Sequence, residues 1–188
     1  KIKPTLLDNF QLSTFNYILF LGTIQPRKNA KKLVQSFHLL KEGGYKGKLV
    51  IAGGIGWLAD ETLDLIKSSP EVKDIVLTGY ISDELRKTLY AYADVYVLPS
   101  LYEGFGVPAI EAMGCGAPVC VSNNSSLPEV VGDAGLLFNP SDPADIASSI
   151  LEIKKDREKW VKKSLSRAKH FSWEKCAEET LAMLTHVK

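Results

Sequence analysis

A chain of 188 residues with 45% hydrophobic content can build one ordinary α/β core without disulfides or metals. Its 23 lysines and arginines nearly cancel its 22 aspartates and glutamates, which excludes a global field for nucleic acid or an anionic membrane, so any anion site must be local. Cys115, Cys120 and Cys176 form no Cys-x-x-Cys pair, which argues against a disulfide framework or a zinc site and for a reducing cytosol.

Residues 1–16 show no clear periodicity and are expected to form a linker or an interrupted edge. Lys1 to Phe10 lacks the apolar centre of a signal peptide, and no apolar run approaches the roughly 18 residues of a membrane span, so the chain reads as soluble. From there, short apolar runs bounded by glycine or proline predict six buried strands: Tyr17–Leu21, Lys48–Ala52, Ile75–Thr78, Val95–Pro99, Val119–Ser122 and Leu136–Phe138. Amphipathic segments fall between them. Leu33, Val34, Phe37 and Leu40 mark the apolar face of a helix that Gly43-Gly44 ends. Ser82 is placed to cap a helix carrying Leu85, Leu89 and Tyr92, and Asp142-Pro143 starts another carrying Ile146, Ile150 and Ile153. Two further helices follow from Asp156, the second starting at Ser172-Trp173 with Cys176, Thr180 and Met183 along one face. This alternation predicts an α/β fold with a doubly wound parallel sheet: a single Rossmann-like domain over residues 17–170, with a separate C-terminal helix over 171–188.

In that architecture ligands bind where the carboxyl ends of the strands meet the helix starts. The first such loop, Gly22-Thr-Ile-Gln-Pro-Arg27-Lys28-Asn29, sets two cations beside the positive end of a helix, an arrangement that suits phosphate. Asn29 is expected to cap that helix. The loop after the fourth strand, Ser100-Leu-Tyr-Glu103-Gly104-Phe-Gly106-Val-Pro108-Ala-Ile-Glu111, has Pro108 in the first helical turn and glycines that let backbone approach a ligand. Glu103 falls in the loop and Glu111 about one turn into the helix, so the two carboxylates reach a cleft from different places, and each can accept sugar hydroxyls. A helix-start pair that merely complements the dipole is the plainer alternative. Gly104 to Ala109 also fits Gly-x-Gly-x-x-Ala, but in the fourth unit rather than the first, which argues against a dinucleotide site.

Other positions stay open. Gly53-Gly54-Ile-Gly56 is a tight turn or a floor for a base and sugar, and Tyr80 offers a ring to a base or packs inside. His38, His170 and His186 read as boundary histidines. With no Asp-x-Asp and no histidine–carboxylate cluster, no metal site is expected. Charge on a diphosphate would fall to Arg27 and Lys28.

Taken together, Gly22…Arg27-Lys28-Asn29, Gly79-Tyr80 and Pro99-Ser100-x-x-Glu103-Gly104-Phe105-Gly106-x-Pro108-x-x-Glu111-Ala112, followed by Gly116-x-Pro118-Val119 and Leu127-Pro128-Glu129-Val130, resemble glycosyltransferase family 4, of the GT-B fold. The resemblance spans roughly residues 15–185 and includes that family's Glu-x7-Glu motif. It implies the C-terminal, nucleotide-sugar-binding half of a retaining enzyme that transfers a glycosyl group from a UDP-, GDP- or dTDP-sugar to a hydroxyl acceptor, with no separate cofactor. It implies Arg27 and Lys28 on the diphosphate, Glu103 on the donor sugar and Glu111 on the ribose, with Arg27, Lys28 and Glu103 acting in catalysis. Gly22, Thr23, Gly53, Gly54, Tyr80, Gly104, Phe105, Gly106 and Val107 would complete the donor site. Thr23 stands where many members carry arginine, and Arg27 is read as its substitute. The Pro-Arg-Lys-Asn loop is similar to that of mannosyl- and rhamnosyl-type enzymes.

The family's acceptor domain, which brings a histidine in many members, has no match in this chain. A sugar or lipid-linked acceptor would therefore be bound by a missing N-terminal domain, towards which the last helix is expected to turn an uncovered side. The implied location is the cytoplasm or the inner face of the membrane, with peripheral membrane contact in the longer protein and no nucleic acid partner. The competing readings are a non-catalytic nucleotide-sugar-binding module, a subunit of a split transferase, and a nucleotide-sugar epimerase of the same fold.

Overall fold

Apolar runs too short for helices condense into six parallel strands: β1 (Tyr17–Leu21), β2 (Lys48–Ala52), β3 (Ile75–Gly79), β4 (Val95–Leu98), β5 (Val119–Ser122) and β6 (Gly135–Phe138). In the computed structural model, which describes residues 2–186, they form one sheet in the order β3-β2-β1-β4-β5-β6. Lys1, Val187 and Lys188, at the ends of the two expected flanking segments, and the His186 side chain lie outside the described residues. Strand limits match the sequence reading to within a residue. β4 stops before Pro99, which has no N–H to offer a ladder.

Each strand alternates its side chains between two cores. Ile18 and Phe20 of β1 join one buried cluster, with residues of α1 (Ala30–Glu42), α2 (Asp60–Ser68) and α6 (Pro143–Lys155). Tyr17 and Leu19 join the other, with α3 (Asp83–Tyr92), α4 (Val107–Gly114) and α5 (Leu127–Val131). A strand apolar on both faces can sit only between two helical layers. α1 buries Leu33, Val34, Phe37 and Leu40. Ser82 Oγ accepts the Leu85 N–H at the start of α3, and Asp142 Oδ1 accepts the Ala144 N–H at the start of α6, as their sequences predict.

Two segments depart from expectation in degree. Residues 4–10 form a 3-10 turn rather than an open linker, and Leu7 and Leu12 bury themselves in the α3–α4 core. α7 (Arg157–Ala168) packs on α4, whereas α8 (Trp173–His186) leaves every described side chain exposed, Trp173, Leu181, Met183 and Leu184 among them.

His38 sits on the rim of α1, as a boundary histidine should, with Nδ1 2.9 Å from Glu71 Oε1 and Nε2 3.5 Å from Glu42 Oε1. The Glu71 hydrogen bond and the two carboxylate charges raise its pKa above the ordinary 6.5. Burial pulls the Glu71 carboxyl upward, but hydrogen bonds from Ser69 and His38 hold it below its usual 4.5. A raised histidine stabilises the fold fully below 6.5 and loses that contribution as pH climbs through its folded value. A lowered glutamate contributes above 4.5. The melting temperature of the wild type should therefore exceed that of His38→Gln most between pH 4.5 and 6.5 and the gap should narrow in alkaline buffer. An equal gap at about pH 5.5 and about pH 8.5 would rule out a charged His38–Glu71 pair.

Candidate functional site

The carboxyl ends of β1 and β4, central in the sheet, lie side by side, so the loops that leave them must meet. After β1 the chain makes a short 3-10 turn over Pro26–Lys28. After β4 it runs through residues 99–106 to α4. The Leu101 N–H donates to the Arg27 carbonyl at 2.8 Å and ties the two loops backbone to backbone.

Glu103, only 8% exposed, is where they join. Lys28 Nζ and Ser100 Oγ each donate to its Oε1 at 2.6 Å, and Arg27 Nη1 donates to Oε2 at 3.1 Å and to the Tyr102 carbonyl at 2.6 Å. Burial alone would push this carboxyl up, but the bonds from Lys28, Ser100 and Arg27 hold it below the ordinary 4.5, so it stays ionised at neutral pH. The three residues expected to do chemistry thus touch one another directly.

A third loop braces this contact. Ser125 Oγ accepts the Glu103 N–H at 3.1 Å, and Ser126 Oγ donates to the carbonyls of Glu103 and Phe105 at 3.1 and 2.9 Å. Asn124 Nδ2 donates to the Leu101 carbonyl at 3.0 Å. Sequence reasoning passed over these residues; the signal was the Asn123-Asn124-Ser125-Ser126 run directly after β5, at the edge where ligand loops gather.

Asn29 corrects one expectation. It stands at the start of α1 but in the left-handed region, with φ 55°, and no cap hydrogen bond forms. Its amide instead donates to the Pro99 carbonyl at 2.9 Å and the Pro140 carbonyl at 2.8 Å, so one buried side chain pins the loops after β1, β4 and β6. The left-handed turn points the side chain away from the helix N–H groups and into this gap.

The remaining expected residues line the same edge. Gly53 has φ 134°, and a Cβ there would lie 2.3 Å from the Gly22 carbonyl oxygen, so the loops after β1 and β2 touch at backbone level. Thr23 sets its methyl against Gly56, and Gly54 faces the Tyr80 ring. Tyr80 is 95% exposed, which removes the packed-core reading. Gly106 has φ 100°, a conformation that side-chain-bearing residues rarely adopt, and a Cβ there would press on the Leu127 side chain. Gly104 is exposed, as are Val107 and Phe105, whose ring meets Phe171 edge-on at 6.0 Å. Glu111 stands apart from the Lys28–Glu103 cluster: it lines a pocket of about 590 Å³ between α4 and α8, with Phe105 and Trp173 on its wall. The Tyr90 hydroxyl reaches Glu111 Oε2 at 3.3 Å, and Arg86 Nη1 lies 3.5 Å from Oε1.

A doubly wound α/β domain with cations, a buried carboxylate and a glycine-bounded helix start at the carboxyl edge of its central strands is a class that handles anionic ligands. The chain belongs, within that class, to the family described as Glycosyl transferases group 1, whose profile matches residues 7–168. It is 43% identical over 180 residues to O-antigen chain mannosyltransferase B of Escherichia coli, covering 94% of this chain and 47% of that protein. It is 33% identical over 193 residues to the serotype-specific mannosyltransferase WbdA of Escherichia coli, covering 97% and 23%. Among solved structures, sucrose-phosphate synthase from Thermosynechococcus elongatus superposes with a TM-score of 0.84 at 27% identity, over 96% of this chain and 48% of that one. Anabaena Alr3699/HepE, solved in complex with UDP and glucose, gives 0.84 at 18% identity, over 97% and 51%, a likeness of fold. The chain spans about half or less of these proteins.

Asn29 makes the brace measurable. Asn29→Ala leaves the Pro99 and Pro140 carbonyls without their shared donor and should lower stability by about 2–3 kcal/mol in urea unfolding. A loss under about 0.5 kcal/mol would mean that the loops are held without it.

Proposed function

We propose that this chain is the donor half of a retaining glycosyltransferase of family 4, with residues 17–170 binding a nucleoside diphosphate sugar and a preceding domain supplying the acceptor. The observation that carries this reading is the meeting of Lys28, Arg27 and Glu103 at the joined ends of β1 and β4. Leaving of the diphosphate gathers negative charge while the anomeric carbon turns cationic. Fixed cations and the start of α4 answer the first, and the Glu103 carboxylate is read as the group that grips a donor sugar hydroxyl. Glu111, one turn into α4, is left to accept the ribose hydroxyls. Because Lys28 and Arg27 already share the Glu103 carboxylate, the cations are positioned before the donor arrives and little reorganisation accompanies the charge shift.

The names of the two Escherichia coli relatives favour a mannosyl donor. The exposed Trp173, Leu181, Met183 and Leu184 of α8 are read as surface for the acceptor domain. No described helix is long and apolar enough to cross a membrane, and the proposed placement is cytoplasmic, with lipid-linked acceptors met at the membrane face.

Calorimetric titration with GDP, UDP and their sugar conjugates tests the donor site. One nucleotide should bind, and Glu111→Ala should weaken it by about tenfold, or 1.4 kcal/mol. In a protein that also carries the acceptor half, Lys28→Ala should slow transfer roughly a hundredfold, about 3 kcal/mol of barrier. A slowing of less than about threefold would remove Lys28 from the chemistry.

A further inference from the structure

Glu111 is gripped from one helix. Tyr90 and Arg86 lie four residues apart on α3, hence on one face, and they take one carboxylate oxygen each: the Tyr90 hydroxyl at 3.3 Å from Oε2, Arg86 Nη1 at 3.5 Å from Oε1. Tyr90 is 1% exposed, and its ring is locked edge-on against Tyr96, with centroids 5.3 Å apart and planes at 78°. Leu89, Ala109 and Met113 belong to the same buried cluster. Burial and the neighbouring Glu111 charge both raise the Tyr90 pKa, so the phenol keeps its proton and serves as donor. Arg86 is steadied in turn by Asp83, 3.3 Å from its Nη2.

An ionised carboxylate has about four acceptor positions. The Tyr90 hydroxyl takes one position on Oε2 and Arg86 pairs with Oε1 by charge, so each oxygen keeps a position for a ligand. Two adjacent acceptors in one plane match two vicinal hydroxyls, and the match is only as good as the carboxylate is fixed. Glu111 is half-buried and opens on the pocket beside α4, so a ligand can reach those free positions. Neither Arg86 nor Tyr90 sits in a loop at the carboxyl edge of the sheet.

We propose that Tyr90 and Arg86 form a holder that fixes the Glu111 carboxylate for a vicinal diol and so makes the site select ribose over 2-deoxyribose in its nucleotide. The proposal rests on the reading of Glu111 as the ribose ligand. Both residues are positioning residues: they act through Glu111, and a 2-deoxyribose, which keeps only the 3′-hydroxyl of the diol, gains less from them.

The test is calorimetric titration of the folded chain with GDP and UDP and with their 2′-deoxy counterparts, for the wild type, Tyr90→Phe, Arg86→Met and Glu111→Ala, with each melting temperature recorded. The wild type should prefer the ribonucleotide. Tyr90→Phe, which keeps the ring against Tyr96 and removes one hydrogen bond, and Arg86→Met, which removes the ion pair, should each weaken ribonucleotide binding by about fivefold while leaving the deoxynucleotide within about twofold. The holder is overturned if either variant keeps the wild-type ratio, or if either loses both ligands equally, while Glu111→Ala abolishes the preference; the ribose reading then stands. A preference unchanged in Glu111→Ala, or a wild type that binds no nucleoside diphosphate, overturns the ribose reading and the holder with it.

Discussion

A carboxylate withdrawn almost completely from water is unfavourable unless its charge is answered on the spot, and Glu103 is answered by Lys28, Arg27 and Ser100. Much of the edge follows from that requirement. Lys28 can reach Glu103 only if the loop after β1 turns sharply, which Pro26 and the left-handed Asn29 accomplish. Arg27 is held twice over, by the Glu103 carboxylate and the Tyr102 carbonyl. Ser125 and Ser126 then fix the backbone on either side of the buried charge. The result is a cluster whose charged groups fix one another while serines and a backbone carbonyl brace its edges, so little reorganisation is left to it.

The glycines add a second constraint. Gly53 lets the loop after β2 rest on the Gly22 carbonyl, and Gly56 makes room for the Thr23 methyl. Those contacts seat the first loop from the side opposite Glu103. Thr23 therefore has a packing role of its own, while a cation four residues later, Arg27, bears on the carboxylate.

The strands and most helices were legible because buried parallel strands must be apolar on both faces and helices on one, and nothing in this chain competes with that pattern. Ser82 and Asp142 were legible as caps because their side chains act within a few residues of themselves. Asn29 was not, since the same residue type serves a cap or a left-handed turn, and its true partners lie 70 and 111 residues away. Lys28, Arg27 and Glu103 could be listed from the sequence as members of one edge, but their direct contact depends on β1 and β4 being neighbours, a fact of topology. Ser125 and Ser126 carried only a weak loop signature. The uncovered side of α8 was expected from the family resemblance and not from its own residues, because an apolar face announces that it wants a cover without saying whether the same chain provides it.

The strand order divides the sheet into two halves of three strands, β1 to β3 and β4 to β6, and the seam between them runs between β1 and β4. Lys28 belongs to one half and Glu103 to the other, 75 residues apart along the chain. A chain emerging in order presents its cations long before the carboxylate that will orient them, and the pair closes only when the second half docks beside the first. Each half alone carries one side of the site, so the anchored charge cluster is a property of the finished sheet and not of any segment that could be cut from it.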